Sequence, residues 1–162
     1  MSGHPGAETA APPRMPPAGR RGTVIVTTVS SDAHTWNLVY LQLLIQELGY
    51  HVVNLGPCVP DDLLVAECGR HAPQMVVVSS VNGHGYQEGL RLVGRLRSEP
   101  GLAAVPVVIG GKLGIQGGES ERHVADLLDA GFDAVFEERA GGMVSFLNFV
   151  ASIPRGAARE LR

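Results

Sequence analysis

The 162-residue sequence has little of what nucleic-acid binding, membrane insertion or disulfide stabilisation requires. Lys112 is the only lysine and the net charge is -3 at pH 7, so we expect no basic surface for nucleic acid. No apolar run approaches the ~20 residues of a membrane-spanning helix. Cys58 and Cys68 are too few for a disulfide framework and are not spaced as a zinc pair. These absences favour a cytoplasmic protein that binds neither nucleic acid nor membrane.

Composition divides the chain into three parts. Residues 1–22 contain five prolines and almost no large apolar side chain, so we expect a disordered Pro/Ala-rich tail. This segment also lacks the apolar core of a secretory signal. Residues 23–151 are long enough to form one domain with an adequate core. Residues 152–162 are predicted to be a short C-terminal tail.

Strand-like and helix-like segments alternate through the predicted domain. Short apolar runs predict five strands, at Thr23–Val29, His51–Leu55, Met75–Val78, Val105–Ile109 and Ala134–Phe136. Apolar spacing and end signals predict five helices, at Leu38–Leu48, from Pro60 onward, at Gln87–Arg97, at Glu121–Ala130 and at Gly142–Val150. The alternation predicts an α/β fold with a doubly wound, five-stranded parallel sheet, and the length of the chain suits the flavodoxin-like strand order 2-1-3-4-5.

That strand order brings three loops with unusual residues to one edge of the sheet, where such folds bind ligands. The first loop contains His34 with a carboxylate, Asp32, two residues before it, which is the usual setting of a metal-ligating histidine. The loops after strands 3 and 4 add a hydroxyl at Ser79 and paired glycines at Gly110 and Gly111, which let a ligand approach the backbone. We therefore predict a site for a large cofactor with a metal outside the first loop.

The three loops resemble the cobalamin-binding domain family, whose signature is Asp-x-His-x-x-Gly, then Ser-x-Leu, then Gly-Gly. The chain reads Asp32-x-His34-x-x-Asn37, then Ser79-x-Val81, then Gly110-Gly111, at spacings of the size that the family shows. Residues 49–56 and 76–81 are also similar to the small subunit of glutamate mutase (methylaspartate mutase).

The resemblance implies a role for each matching position. His34 would be the axial ligand of cobalt, displacing the cofactor's own benzimidazole, and Asp32 would hydrogen-bond the other ring nitrogen. Ser79 would contact the displaced benzimidazole, and Gly110 and Gly111 would leave room for the nucleotide tail. Further contacts to the cofactor or a partner are expected from the remaining residues of these loops: Asn37, Val81, Gly83, His84 and Lys112.

The chemistry implied by the resemblance belongs to adenosylcobalamin, whose cobalt–carbon bond breaks homolytically to start a radical rearrangement of a carbon skeleton. The chain would be the cobalamin-binding small subunit of an isomerase that interconverts L-glutamate and threo-3-methylaspartate. It would be active only with a larger barrel subunit, which would bind most of the amino-acid substrate. No catalytic residue is expected on this chain alone.

Two alternatives keep the cobalamin site. The small subunit of an acyl-CoA mutase shares the motif, and a degenerate cobalamin-binding scaffold would keep the fold without activity.

Three other classes of protein are disfavoured. A corrinoid carrier for methyl transfer usually has a helical cap domain, and a cobalamin-dependent light sensor needs an apolar cap. Residues 1–22 predict neither kind of cap. A phospho-receiver needs a carboxylate after strand 3, where the chain has Ser79-Ser80-Val81-Asn82.

The chain departs from the signature at two positions, Asn37 for glycine and Val81 for leucine. The second is a small change in volume. At the first, asparagine is expected either to tolerate a left-handed backbone or to cap a helix that begins at Leu38.

Overall fold

The computed structural model describes residues 21–113, 120–138 and 141–153. Strands and helices alternate throughout this part of the chain. The strands are β1 (Thr23–Thr28), β2 (His51–Asn54), β3 (Met75–Ser80), β4 (Val107–Gly111) and β5 (Ala134–Glu137). The helices are α1 (Trp36–Glu47), α2 (Asp61–His71), α3 (Gly85–Arg97), α4 (Ser120–Ala130) and α5 (Gly142–Ser152), with one 3₁₀ turn at Pro100–Leu102.

The five strands form one parallel sheet in the order β2-β1-β3-β4-β5. The predicted flavodoxin-like order is therefore confirmed. Every residue of the central strand β3 is buried, as a strand covered on both faces should be. Successive side chains of a strand point to opposite faces. Accordingly, Val76 belongs to a core with α2, α3 and α4, whereas Val77 belongs to a second core with α1 and α5.

Strands β3 and β4 both extend further toward the functional edge than the sequence predicts. β3 continues through Ser79 and Ser80, and β4 runs from Val107 to Gly111 instead of from Val105 to Ile109. Ser79 pairs with Gly110 and Ser80 pairs with Gly111, while β5 pairs with the other side of β4. Pairing on both sides stabilises the glycines as strand residues, although glycine itself disfavours strands. The paired glycines therefore lie in the sheet and not in the loop after it.

Most of the two predicted tails lies outside the described residues. The exceptions in the first tail are Arg21 and Gly22, and the Gly22 carbonyl accepts a hydrogen bond from the N–H of His51 at 2.9 Å. At the C-terminal end, α5 ends at Ser152, and residues 154–162 lie outside the described residues. Within the described part, no helix has both the length and the apolar character needed to cross a membrane.

Candidate functional site

The loop after β1 holds a buried carboxylate against an exposed imidazole. Nδ1 of His34 lies 2.7 Å from Oδ1 of Asp32, and the backbone N–H of His34 donates to the same oxygen at 3.0 Å. Asp32 has no exposed surface, whereas the His34 side chain is 55% exposed. Because Asp32 engages Nδ1, Nε2 is the ring nitrogen left to bind a metal or a ligand.

The second oxygen of Asp32 connects this loop to the end of β3. Oδ2 accepts a hydrogen bond from the backbone N–H of Val81 at 2.7 Å. Burial alone would raise the pKa of Asp32, but hydrogen bonds from the N–H of Val81, the N–H of His34 and the His34 ring lower the pKa below its usual value. Asp32 is therefore a stable carboxylate that orients the imidazole from a position set by the sheet.

Beside this loop, a cleft of about 390 Å³ opens between α1, α5 and the ends of β3, β4 and β5. Its size is typical of a small-molecule site. Five of the residues predicted from the sequence contribute to it: Asn37, Ser79, Val81, Gly110 and Gly111. The predicted positions on α1, β3 and β4 therefore share one ligand-sized space.

Asn37 lies inside the first turn of α1, because that helix begins at Trp36 with Thr35 as its N-cap. The expectation that Asn37 caps a helix beginning at Leu38 is therefore wrong. The alternative, a left-handed backbone, is also wrong, since the residue is helical and its φ is not positive. Its side chain instead reaches across to β3, where Nδ2 donates to Oγ of Ser79 at 2.6 Å.

The two glycines of β4 are positions where the protein's own backbone comes very close. A Cβ on Gly111 would lie 2.2 Å from the carbonyl oxygen of Ser80, and its φ of +105° is one that side-chain-bearing residues rarely adopt. A Cβ on Gly110 would lie 3.0 Å from the carbonyl oxygen of Phe136. These glycines thus allow the strands to meet at the cleft, and Gly110 lines the cleft without adding a side chain to it.

A second carboxylate, which the sequence analysis did not identify, anchors the loop after β1 from α3. Glu88 accepts hydrogen bonds from Oγ of Ser30 at 2.8 Å, from the backbone N–H of Ser31 at 3.2 Å, and from Oγ of Ser31. Nδ2 of Asn82 donates to that same Ser31 hydroxyl at 2.9 Å. Glu88 therefore links α3 directly to the loop after β1 and, through Ser31, to Asn82 in the loop after β3. Its position in an ordinary helical stretch gave no sequence signal of this role.

Besides Asp32 and His34, three more predicted residues lie outside the cleft, after the ends of β3 and β4. Gly83 is half-buried with a φ of +87°, and His84 and Lys112 are exposed. The N–H of His84 donates to Oδ1 of Asn82 at 3.0 Å, which fixes the turn that presents the imidazole. Contacts from these three residues to a cofactor or partner stay predictions.

The wall of the cleft formed by α1, β5 and α5 was missed by the sequence analysis. Its residues are Tyr40, Leu41, Phe136, Glu137, Glu138, Gly142, Met143 and Phe146. β5 ends at the same edge as β4, so the residues after it were the available signal. The α5 residues became identifiable only once that helix was seen to pack beside α1.

Comparison with known proteins extends these observations. The family model described as "B12 binding domain" matches residues 22–141. Glutamate mutase sigma subunit 1 of Haloarcula marismortui is 33% identical over 115 residues, which cover 71% of this chain and 75% of that protein. The glutamate mutase sigma subunit of Escherichia coli O157:H7 is 26% identical over 117 residues, covering 72% and 78%.

Solved structures share the fold at lower identity. A cobalamin-binding protein from Desulfitobacterium hafniense superimposes with a TM-score of 0.63 at 21% identity, over 81% of this chain and 60% of that one. The chemotaxis response regulator CheY4 of Vibrio cholerae gives 0.57 at 13% identity, over 80% and 98%. The family match spans most of the chain and includes Asp32, His34 and every residue of the three loops, and on this evidence the chain belongs to the B12 binding domain family.

Proposed function

We propose that this chain binds cobalamin and that His34 would ligate its cobalt. The observation that carries the proposal is the Asp32–His34 pair, in which a buried carboxylate engages Nδ1 and leaves Nε2 on a largely exposed ring. Among the described residues, no three His, Cys, Asp or Glu side chains are grouped so as to hold an ion. A single oriented imidazole suits a metal whose other ligands come from a macrocycle.

The cleft beside His34 supports the proposal, because it would accommodate the nucleotide of such a cofactor. Its walls are largely apolar, and Asn37 and Ser79 form a polar end. The cleft is also lined by the carboxylate-bearing residues Glu137 and Glu138. Asn37, Ser79, Val81, Gly110 and Gly111 would hold the displaced nucleotide. Gly83, His84 and Lys112 would contact the corrin or the partner.

We further propose adenosylcobalamin and a carbon-skeleton rearrangement of the glutamate mutase type, from L-glutamate to threo-3-methylaspartate. Sigma subunits of glutamate mutase are 25–33% identical to this chain, which supports that reaction class. When bound, adenosylcobalamin supplies a radical through homolysis of its cobalt–carbon bond. The chain's own part is to hold the metal through His34, to fix the imidazole through Asp32 and to accommodate the nucleotide. A cytoplasmic location accords with this role.

A larger barrel subunit would complete the active site and bind most of the substrate. In support, exposed apolar side chains recur at helical spacing along α1: Trp36, Val39, Tyr40 and Leu43, which we call the α1 stripe. α1 contains one charged residue, Glu47, and Tyr40 also lines the cleft. An uncharged apolar surface that is continuous with the cleft is suited to a protein partner.

The test is the absorption spectrum of the purified chain mixed with hydroxocobalamin or adenosylcobalamin and passed through gel filtration. We expect the wild type to retain the cofactor with imidazole in place of benzimidazole, and His34→Ala to lose that spectrum. His51→Ala is the matched control, since His51 begins β2 at the opposite edge of the sheet. If the wild type retains nothing, either alone or with a candidate large subunit, the proposal is wrong.

Turnover is measured with the large subunit present. Conversion of L-glutamate that needs both chains and His34 supports the mutase assignment. Cofactor retention without turnover of glutamate or of an acyl-CoA substrate would instead indicate a degenerate scaffold.

A further inference from the structure

The α1 stripe is a helix face that stands exposed within the described part of the chain. Its four side chains are between 48% and 78% exposed and recur on one side of α1. The stripe has no charged member, and two of its members, Trp36 and Tyr40, are aromatic. Contiguous apolar surface of this kind marks an interaction site.

The N-terminal tail is attached to the domain beside the end of this helix. The N–H of Arg21 donates to the carbonyl of Gly49 at 3.4 Å, and the Arg21 guanidinium lies 5.7 Å from the centre of the Tyr50 ring. Gly49 follows α1 closely, since that helix ends at Glu47. The residues before Arg21 are therefore tethered at the end of α1 that is opposite Trp36.

The tail contains a short stretch rich in proline, Pro12–Pro17, which we call the proline segment. Sequences of this kind favour the polyproline II helix, in which residues three apart share an edge. Two of the three edges of the segment are then wholly apolar, one of them formed by Pro13 and Pro16. Arg14, its only charged residue, falls on the third edge. The segment can therefore place an apolar edge on a surface while its charge stays in water.

The stripe and the proline segment also match in position and length. At a rise of ~1.5 Å per residue, the stripe extends from roughly 9 Å to roughly 20 Å from Gly49, between Leu43 and Trp36. At ~3.1 Å per residue, the proline segment covers distances from roughly 12 Å to roughly 28 Å from Arg21. Since Arg21 and Gly49 are in contact, the segment can lie along the stripe.

We propose that the proline segment covers the α1 stripe in the free chain, with its rings against Trp36 and Tyr40. Proline-rich segments bind aromatic surfaces in this way because the polyproline II helix costs little entropy to order. The tether gives the segment an effective concentration on the order of millimolar at the stripe, so a weak contact is sufficient. The larger subunit would then displace the segment, a step that rests on the proposed function.

The fluorescence of Trp36, the sole tryptophan, tests this contact in the isolated full chain without cofactor. The double variant Pro13→Gly with Pro16→Gly removes one apolar edge and the preference for polyproline II. If the segment is docked for about half of the time, its release should raise the acrylamide quenching constant of Trp36 about twofold. The emission should also shift to longer wavelength. Pro5→Gly, the same replacement outside the segment, should change neither, and equal quenching in wild type and double variant overturns the proposal.

Photochemical cross-linking identifies what the segment touches. Met15 is replaced by benzoylphenylalanine in the full chain, and mass spectrometry locates the cross-links after irradiation. Cross-links to the α1 stripe within one chain, with a yield independent of protein concentration, support the proposal. Products that join two chains and increase with concentration would show that a second copy covers the stripe, which overturns it. Cross-links confined to other elements overturn it as well.

Binding of the candidate larger subunit separates this inference from the proposed function. A stripe that is free for about half of the time binds with about half of its intrinsic affinity, so the double variant should bind the larger subunit about twofold more tightly than the wild type. If quenching shows a docked segment but the double variant gains no affinity, the stripe is not the surface for the larger subunit, and docking of the tail stands. Failure to bind cobalamin overturns the proposed function alone, because the fluorescence measurement contains no cofactor.

Discussion

The carboxylate of Asp32 and the backbone N–H of Val81 are 49 residues apart in sequence and 2.7 Å apart in the fold. The same carboxylate holds Nδ1 of His34 through its other oxygen. The position of the imidazole is therefore set by the end of the central strand β3 and not by its own loop alone. This arrangement explains why a buried, ionised aspartate is stable here: each oxygen has a donor.

Asp32→Asn tests that arrangement through stability. An asparagine has one acceptor oxygen, so its NH₂ group must face either the N–H of Val81 or the donors of His34. We expect the free energy of unfolding at pH 7 to fall by about 1–3 kcal/mol, because a buried donor loses its acceptor. Urea denaturation followed by circular dichroism measures this change. Asp129→Asn, at an exposed position of α4, should change little.

The pH dependence of unfolding provides a separate check on Asp32. The native pKa of Asp32 lies below its usual value of 3.8, so on acidification the unfolded state binds the proton first. The stabilisation from this ionised group is therefore complete above about pH 4–5 and is lost as pH falls through the native pKa. The stability difference between wild type and Asp32→Asn should shrink across that acidic range. A constant difference from pH 7 to pH 3 would contradict the role of the charge.

Glu88→Gln tests whether α3 positions the loop that carries His34. The amide cannot accept from both hydroxyls and from the N–H of Ser31 as the carboxylate does. We expect about a three- to tenfold loss of cobalamin affinity, because charge-assisted hydrogen bonds that fix the loop are lost, with the fold retained. Glu67→Gln, on α2, removes a comparable glutamate that pairs with His71 instead. Equal effects of the two substitutions on affinity would rule out a positioning role.

Gly111→Ala tests the close approach of β4 to β3. The new methyl group would overlap the carbonyl of Ser80 in a backbone conformation that alanine disfavours. We expect destabilisation of roughly 2–4 kcal/mol, or no folded protein at all. Gly94→Ala is the matched control, because that glycine lies within α3 with nothing within 4 Å of its Cβ position. Gly94→Ala should leave the free energy of unfolding unchanged or raise it by about 0.5–1 kcal/mol. Thermal unfolding of the two variants measures the difference.

Leu43→Ser tests the α1 stripe as the surface for the larger subunit. Leu43 is 55% exposed, so its replacement should scarcely affect the isolated chain. Binding to the partner, measured by calorimetry with cobalamin present, should weaken at least about fivefold through loss of apolar burial. Leu63→Ser removes a leucine of α2 that is 45% exposed and should leave the affinity unchanged. A larger loss with Leu63→Ser would place the interface on the other face of the sheet.

Much of this fold was predictable because its signals are local. Buried parallel strands have nearly continuous apolar sequences, so all five were identified, and alternation with helices indicated a parallel sheet whose order the chain length suggested. The Asp32–His34 pair was predictable for a similar reason, since the two residues are two positions apart. The boundaries near Ser79 and Gly110 were wrong because serine and glycine have weak strand preferences, which pairing in the sheet overrides.

The remaining features depend on contacts between distant residues. Asn37 was expected to adopt a left-handed backbone or to cap the helix after it. Its side chain instead donates a hydrogen bond to Ser79, 42 residues away. Glu88 reaches Ser30 over 58 residues, and Phe146 forms a wall of the cleft from α5. No periodicity or motif encodes such contacts, because they arise only when the helices pack on the sheet.

Trp36 is the sole tryptophan of the chain, is 78% exposed, and begins α1 two residues after His34. An indole so placed is a built-in fluorescent reporter for this edge of the protein. A corrinoid bound nearby would quench its emission, because the corrin ring absorbs where indole emits. A protein surface covering α1 would instead shift the emission to shorter wavelength. In the unlabelled protein, binding of the cofactor should therefore lower the emission intensity, whereas binding of the partner should shift the emission wavelength. Fluorescence can then show in real time which of the two binds first.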